Sequence, residues 1–217
     1  MIDMKAIVIG ATGATGKDLV ELLKNDSDFD SVEIFVRREF ELDDSKFHVH
    51  VIDFDKPDDW KNLVQGDVIF SCLGTTRRAA GSKSAQWKID HDYQFEFAKI
   101  ARENGVKKFI LVSSIGSDKD SKFFYLHMKG QLEQDIVELD FPTFITMQPP
   151  SLIRKKPKIP LESVSIKILK AVNAVGLFKS YAPMKTEIVA KAMINLAKTC
   201  DEKFLIVSGQ KIREYAQ

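Results

Sequence analysis

The apolar positions of this chain fall into short runs that alternate with longer amphipathic stretches. KAIVI (residues 5–9), VEIFV (32–36), FHVHVI (47–52), VIFSC (68–72), FILV (109–112), TFITM (143–147) and FLIVS near the end have the length and the β-branched and aromatic content of strands. Between them apolar residues recur at helical spacing. Leu19, Val20, Leu22 and Leu23 form the first such stripe, and Phe95, Ala98, Ile100 and Ala101 mark a helix over about 84–104 that stops at Gly105. A further helix is expected over 123–139, ending before Pro142, and others from about Ser163 and over 187–198. This alternation predicts a doubly wound α/β fold, a Rossmann-like parallel sheet covered on both faces. After Pro149 and Pro150 the pattern changes to a basic, proline-containing segment. The reading is one domain, with a cofactor part over about 1–148 and a small C-terminal cap over about 149–217 that supplies the substrate-side wall.

Composition narrows the function. The chain has 217 residues, is 44% hydrophobic and carries a formal net charge of +1, so no general electrostatic pull toward nucleic acid exists and small molecules are the better partners. Cys72 and Cys200 are the two cysteines, too few and too far apart for a disulfide framework or a metal-ligand spacing. A reduced, cytoplasmic protein is therefore expected, with no signal peptide, no membrane span, no membrane partner and no metal. A homodimer is left open.

The first chemical signal is GATGATGKD, between the first apolar run and the first helical stripe. A nucleoside-triphosphate loop would need glycine where Ala11 stands and a hydroxyl where Asp18 stands. A dinucleotide loop fits better: Gly10, Gly13 and Gly16 give GxxGxxG at a strand-to-helix turn, where backbone N–H groups meet a pyrophosphate. Thr12, Ala14 and Thr15 complete the candidate loop. The second strand ends in Arg37 and Arg38, and a guanidinium there suits a ribose 2′-phosphate, which favours NADP(H) over NAD(H). Asp53 and Phe54, after the third strand, are placed at the adenine.

The second signal is Tyr125-x-x-x-Lys129, which follows Ser113-Ser114 at a strand end. Residues four apart share a helix face, so Lys129 is expected to lower the phenol pKa of Tyr125 and to bond the cofactor ribose, while a strand-end serine holds the substrate oxygen. Tyr181 and Lys185 repeat the spacing, but Pro183 lies between them and no strand-end serine precedes them at a fitting distance. His127 falls roughly opposite Tyr125 on the helix, and His48, His50 and His91 form no ligand spacing. No GxSxG elbow occurs. Arg154, Lys155, Lys156 and Lys158 read as a solvated basic run, and VSIKILKAVNAVGLF from Val164 as a buried lid.

GATGATG, FVRR, DVIFSCLGTTRRAAG, LVSSIGSDKDSKFFYLHMKGQLE and the pair Gln148-Pro149 together resemble the short-chain dehydrogenase/reductase superfamily, in particular its atypical, NADPH-binding members of the TIP30 type. By position, the resemblance implies Ser114 as active-site serine, Tyr125 as acid/base and Lys129 as its activator. Leu73, Gly74 and Pro149 would pack on the cofactor. Two departures stand out: an asparagine of related proton relays is replaced near Asp90, and Pro149-Pro150 stands where proline-glycine is usual. The function implied is an NADP(H)-dependent oxidoreductase acting on a small carbonyl or alcohol. The alternatives are an NADPH-sensing regulator without turnover and, third, a nucleotide-sugar epimerase.

Overall fold

A computed structural model describes residues 3–153 and 182–217. Among these, seven strands form an all-parallel sheet in the order β3-β2-β1-β4-β5-β6-β9. They are β1 (Met4–Ile9), β2 (Phe29–Val36), β3 (Phe47–Val51), β4 (Val68–Ser71), β5 (Lys108–Val112), β6 (Thr143–Gln148) and β9 (Phe204–Ser208). Strand order reverses between β1 and β4, which opens a crevice beyond their carboxyl ends. The doubly wound arrangement is thus the one expected from the alternating pattern. Within β1 the side chains divide by parity: Ala6 and Val8 join one core layer, Ile7 and Ile9 the other, and all four are fully buried. That two-sided burial is why β1 reads as a continuous apolar run rather than an alternating one.

Helix α1 (Ala14–Lys24) covers the first face with Leu19 and Leu23, beside the late helix α7 (Thr186–Thr199), which contributes Val189 and Met193. The opposite face is covered by α5 (Tyr93–Glu103) and α6 (Phe124–Glu138) through Phe97, Ala101, Leu132 and Ile136. Each such buried side chain contributes about 1.5–3 kcal/mol of burial free energy. Short helices α2 (Pro57–Trp60), α3 (Arg77–Ala80), α4 (Lys83–Trp87) and α8 (Lys211–Tyr215) complete the described helical elements, with a single 3-10 turn at Lys61–Leu63. Leu152–Ile153 (β7) and Met184–Lys185 (β8) pair in parallel as a separate two-stranded ribbon.

Two expectations change. The helix expected over 84–104 is α4, a π-helical turn at Lys88–Asp92, and α5 in succession. A π turn inserts a residue into the backbone ladder without interrupting the helix, so apolar spacing hides it. Lys185 belongs to a strand, whereas Tyr181, the run from Arg154 to Lys158 and the helix from Ser163 lie outside the described residues.

Candidate active site

The glycine turn is shaped by contact with β4. Gly10 has φ +80°, and a Cβ there would stand 2.4 Å from the Cys72 carbonyl carbon and the Leu73 nitrogen. A Cβ on Gly16 would stand 2.2 Å from the Gly10 carbonyl oxygen, so only glycine lets α1 start this close to the turn. Gly13 is the N-cap of α1 and has no side-chain cap, which leaves the first-turn N–H groups directed out of the helix with no acidic residue beside them. This is a fitting cradle for a pyrophosphate.

From that cradle two joined clefts run along the carboxyl edge of the sheet, sharing Gly13, Cys72, Leu73, Gly74 and Thr75. The first, about 460 Å³, is lined by Gly10, Thr12, Arg37, Arg38, Phe54 and Ile89 among others. Both arginines are exposed, and neither is tied to another described side chain by a hydrogen bond or ion pair. Phe54 is buried against Tyr93 and Trp60. Asp53 stays out of the lining: its carboxylate accepts the Asp55 N–H at 3.0 Å and its carbonyl accepts the Trp60 indole N–H at 2.9 Å, so it closes a turn instead.

The second cleft, about 280 Å³, is walled by Ala14, Thr15, Thr76, Asp90, Ser113, Tyr125, Lys129 and Leu152. The expected tyrosine and lysine therefore face the same space as the glycine loop. Of the two serines, Ser113 lines the cleft, and its buried hydroxyl has no hydrogen-bond partner among the described residues. Ser114 stands behind, its hydroxyl 3.4 Å from the Ile115 carbonyl oxygen and hydrogen-bonded toward the Tyr125 phenol. Pro149 is likewise behind the wall, where its carbonyl accepts the Ile115 N–H at 3.0 Å.

Electrostatics depart from expectation. Desolvation by the surrounding protein raises the Tyr125 phenol above its ordinary pKa, the Asp90 charge raises it further, and Ser114 lowers it. Lys129 does not depress it. The buried ammonium of Lys129 donates to the Val112 carbonyl at 3.3 Å and faces Asp90, Glu133 and Cys72, while burial pulls its own pKa down. A shared helix face brought the two side chains to one cleft without setting their direct coupling. The Cys72 thiol, pushed up to about 12 by burial, stays neutral.

Sequence reading missed the devices that hold this wall. A Cβ on Gly130 would stand 2.3 Å from Asp118 and Lys119 backbone atoms, so this glycine lets α6 press against the loop that follows β5. Glu133 and Ser117 bond at 2.6 Å, and Gln148 donates to both, tying α6 to the same loop and to β6. In the π turn, Gln94 donates to the Asp90 carbonyl at 2.6 Å and accepts from Ser71 at 2.6 Å. Spacing alone signals none of these, because each joins segments remote in sequence or hidden inside a helix. The histidines serve elsewhere: His50 pairs with Glu33 at 2.5 Å, His91 bridges Asp92 and Asp135, and His127 bonds the Lys119 carbonyl.

Residues 10–140 match a family described as NAD(P)H-binding. The chain is 36% identical to the mitochondrial protein FMP52 of Meyerozyma guilliermondii, over 99% of this chain and 96% of that protein. It is also 36% identical to HTATIP2 of Rattus norvegicus, over 70% of this chain and 64% of that one. Among solved structures, the oxidoreductase ylbE of Lactococcus lactis superposes with a TM-score of 0.73 at 20% identity, covering 98% of this chain and 95% of its own. A UDP-N-acetylglucosamine 4-epimerase from Methanobrevibacter ruminantium gives 0.72 at 16% identity, covering 96% and 77%. At such identities the superpositions speak for the fold alone. The chain belongs to the NAD(P)H-binding family of atypical short-chain dehydrogenase/reductases. The cytoplasmic expectation is corrected, because the FMP52 relatives are named as mitochondrial proteins. Cysteine usage argues only against an oxidising compartment and does not choose among the others.

Proposed function

We propose that this member of the NAD(P)H-binding family is an NADP(H)-dependent oxidoreductase of a small carbonyl or alcohol. The observation that carries the reading is the meeting of the glycine cradle, Tyr125 and Lys129 in one continuous cleft. The loop Gly10 to Gly16 would hold the pyrophosphate, Arg37 and Arg38 the 2′-phosphate, and Phe54, Leu73 and Gly74 the flanking groups. NADP(H), when bound, supplies or accepts the hydride.

The protein's own part is proton transfer and positioning. Tyr125, kept protonated by its raised pKa, donates to the oxygen of a carbonyl substrate and takes the proton back in the reverse direction. Ser114 orients that phenol through its hydrogen bond, and the free hydroxyl of Ser113 is a second donor at the cleft wall. Lys129 binds the cofactor ribose. Residues after Pro150 form the substrate-side wall, a reading supported by Leu152 in the cleft lining.

The test is a carbonyl panel followed at the NADPH absorbance, with Tyr125→Phe beside the wild type. The variant should bind NADPH unchanged and lose turnover by about 100- to 10,000-fold, the usual worth of a positioned acid. Tight NADPH binding by the wild type with no turnover on any carbonyl or alcohol would replace this reading with a cofactor sensor.

A further inference from the structure

Asp90 is 1% exposed, yet its carboxylate reaches the wall of the cleft that holds Tyr125 and Lys129. It sits in the π-helical turn at Lys88–Asp92, a geometry that swings one residue out of helical register. The turn is held from behind, since Gln94 takes the Asp90 carbonyl and is itself held by Ser71. From this fixed base one carboxylate oxygen accepts the Thr75 N–H at 2.6 Å, and the other lies 3.5 Å from the Gln86 amide. Thr75 belongs to the loop after β4 that lines both clefts.

A buried carboxylate without a counter-ion in direct contact is costly, and one kept beside a proton donor needs a reason. We propose that Asp90 is a positioning residue of this site: it clamps the Thr75 loop over the cofactor groove, and its negative charge governs the protonation of Tyr125 and Lys129. This rests on the oxidoreductase reading for its consequence in turnover. The groups facing Asp90 are few. From α6 come the Tyr125 phenol and the Lys129 ammonium, from the loop the Thr75 N–H, and from α4 the Gln86 amide. Glu133 and the neutral Cys72 thiol act on Lys129 from its other sides. His91, the next residue, turns away to Asp92 and Asp135.

The directions agree with the geometry. Burial raises the Asp90 pKa and Lys129 opposes that rise, while the Asp90 charge raises both Tyr125 and Lys129. Asp90→Asn keeps an acceptor for the Thr75 N–H and removes the charge; Asp90→Ala removes both. In Asp90→Asn the alkaline fall in carbonyl reduction, where Tyr125 loses its proton, should move down by roughly one pH unit, with the Michaelis constant for NADPH little changed. In Asp90→Ala the same shift should be joined by roughly tenfold weaker NADPH binding, the worth of one lost charged hydrogen bond.

Phenolate absorbance titration of wild type and Asp90→Asn, each against the same protein carrying Tyr125→Phe, reads the Tyr125 pKa without turnover. A lower Tyr125 pKa in Asp90→Asn supports the proposal even if no substrate is turned over, an outcome that would sink only the oxidoreductase reading. An unchanged Tyr125 pKa together with unchanged NADPH binding by Asp90→Ala overturns the proposal and leaves that reading intact.

Discussion

Arg37 illustrates how much a single side chain is asked to decide. It stands at the end of β2, exposed and without a described partner, on the lining of the first cleft. A guanidinium there meets a 2′-phosphate with charge-assisted hydrogen bonds, each worth about 1.5–3 kcal/mol. Arg37→Ala should therefore cut the preference for NADPH over NADH by roughly 10- to 150-fold, read from the ratio of kcat/KM for the two cofactors. An unchanged ratio would move the phosphate site away from this strand end. Arg38 was legible in the sequence on the same grounds. Asp53 was legible as a residue and misplaced as a contact, because a turn took its carboxylate first.

At the scale of elements, the site depends on how closely α6 approaches the loop after β5. Gly130 sets that distance, and its neighbours are backbone atoms that cannot rotate away. Gly130→Ala should cost about 1–3 kcal/mol in urea unfolding, the usual penalty of overpacking, although alanine is the better helix former by about 1 kcal/mol. It should also lower kcat, since Tyr125 and Lys129 ride on the displaced helix. A variant as stable and as active as wild type would show that α6 has slack. The π turn belongs to this scale too: apolar periodicity placed a helix over 84–104, and the insertion that swings Asp90 into the cleft left that periodicity intact.

At the scale of the molecule, the late helix α7 is joined to the early part of the sheet by ions as well as by its apolar face. The Lys198 ammonium lies 2.6 Å from carboxylate oxygens of both Asp26 and Asp28, and Thr186 donates to Asp18 at 2.6 Å. The Lys198 hydrogen bond holds the Asp28 pKa below its ordinary value. A carboxylate with a depressed folded pKa stabilises above its unfolded pKa, and that contribution is lost as pH falls through the folded one. Lys198→Gln should thus lower Tm at neutral pH, with the difference from wild type shrinking as the solution is acidified below about pH 4. A Tm difference independent of pH across that range would assign the effect to packing rather than charge.

What the sequence determined by itself was whatever local physics encodes: strands from runs such as AIVI, helices from apolar spacing, the dinucleotide turn from glycines at a strand end, and the pairing of Tyr125 with Lys129 from one helical turn. Tertiary structure decided what depends on distance between remote segments. It put Ser113 rather than Ser114 on the cleft wall, brought Asp90 from a π turn to face α6, and raised the Tyr125 phenol through burial and a neighbouring carboxylate instead of lowering it through Lys129. Desolvation and Coulomb terms are sums over everything within several ångströms, whichever part of the chain it comes from, and no spacing along one segment contains them.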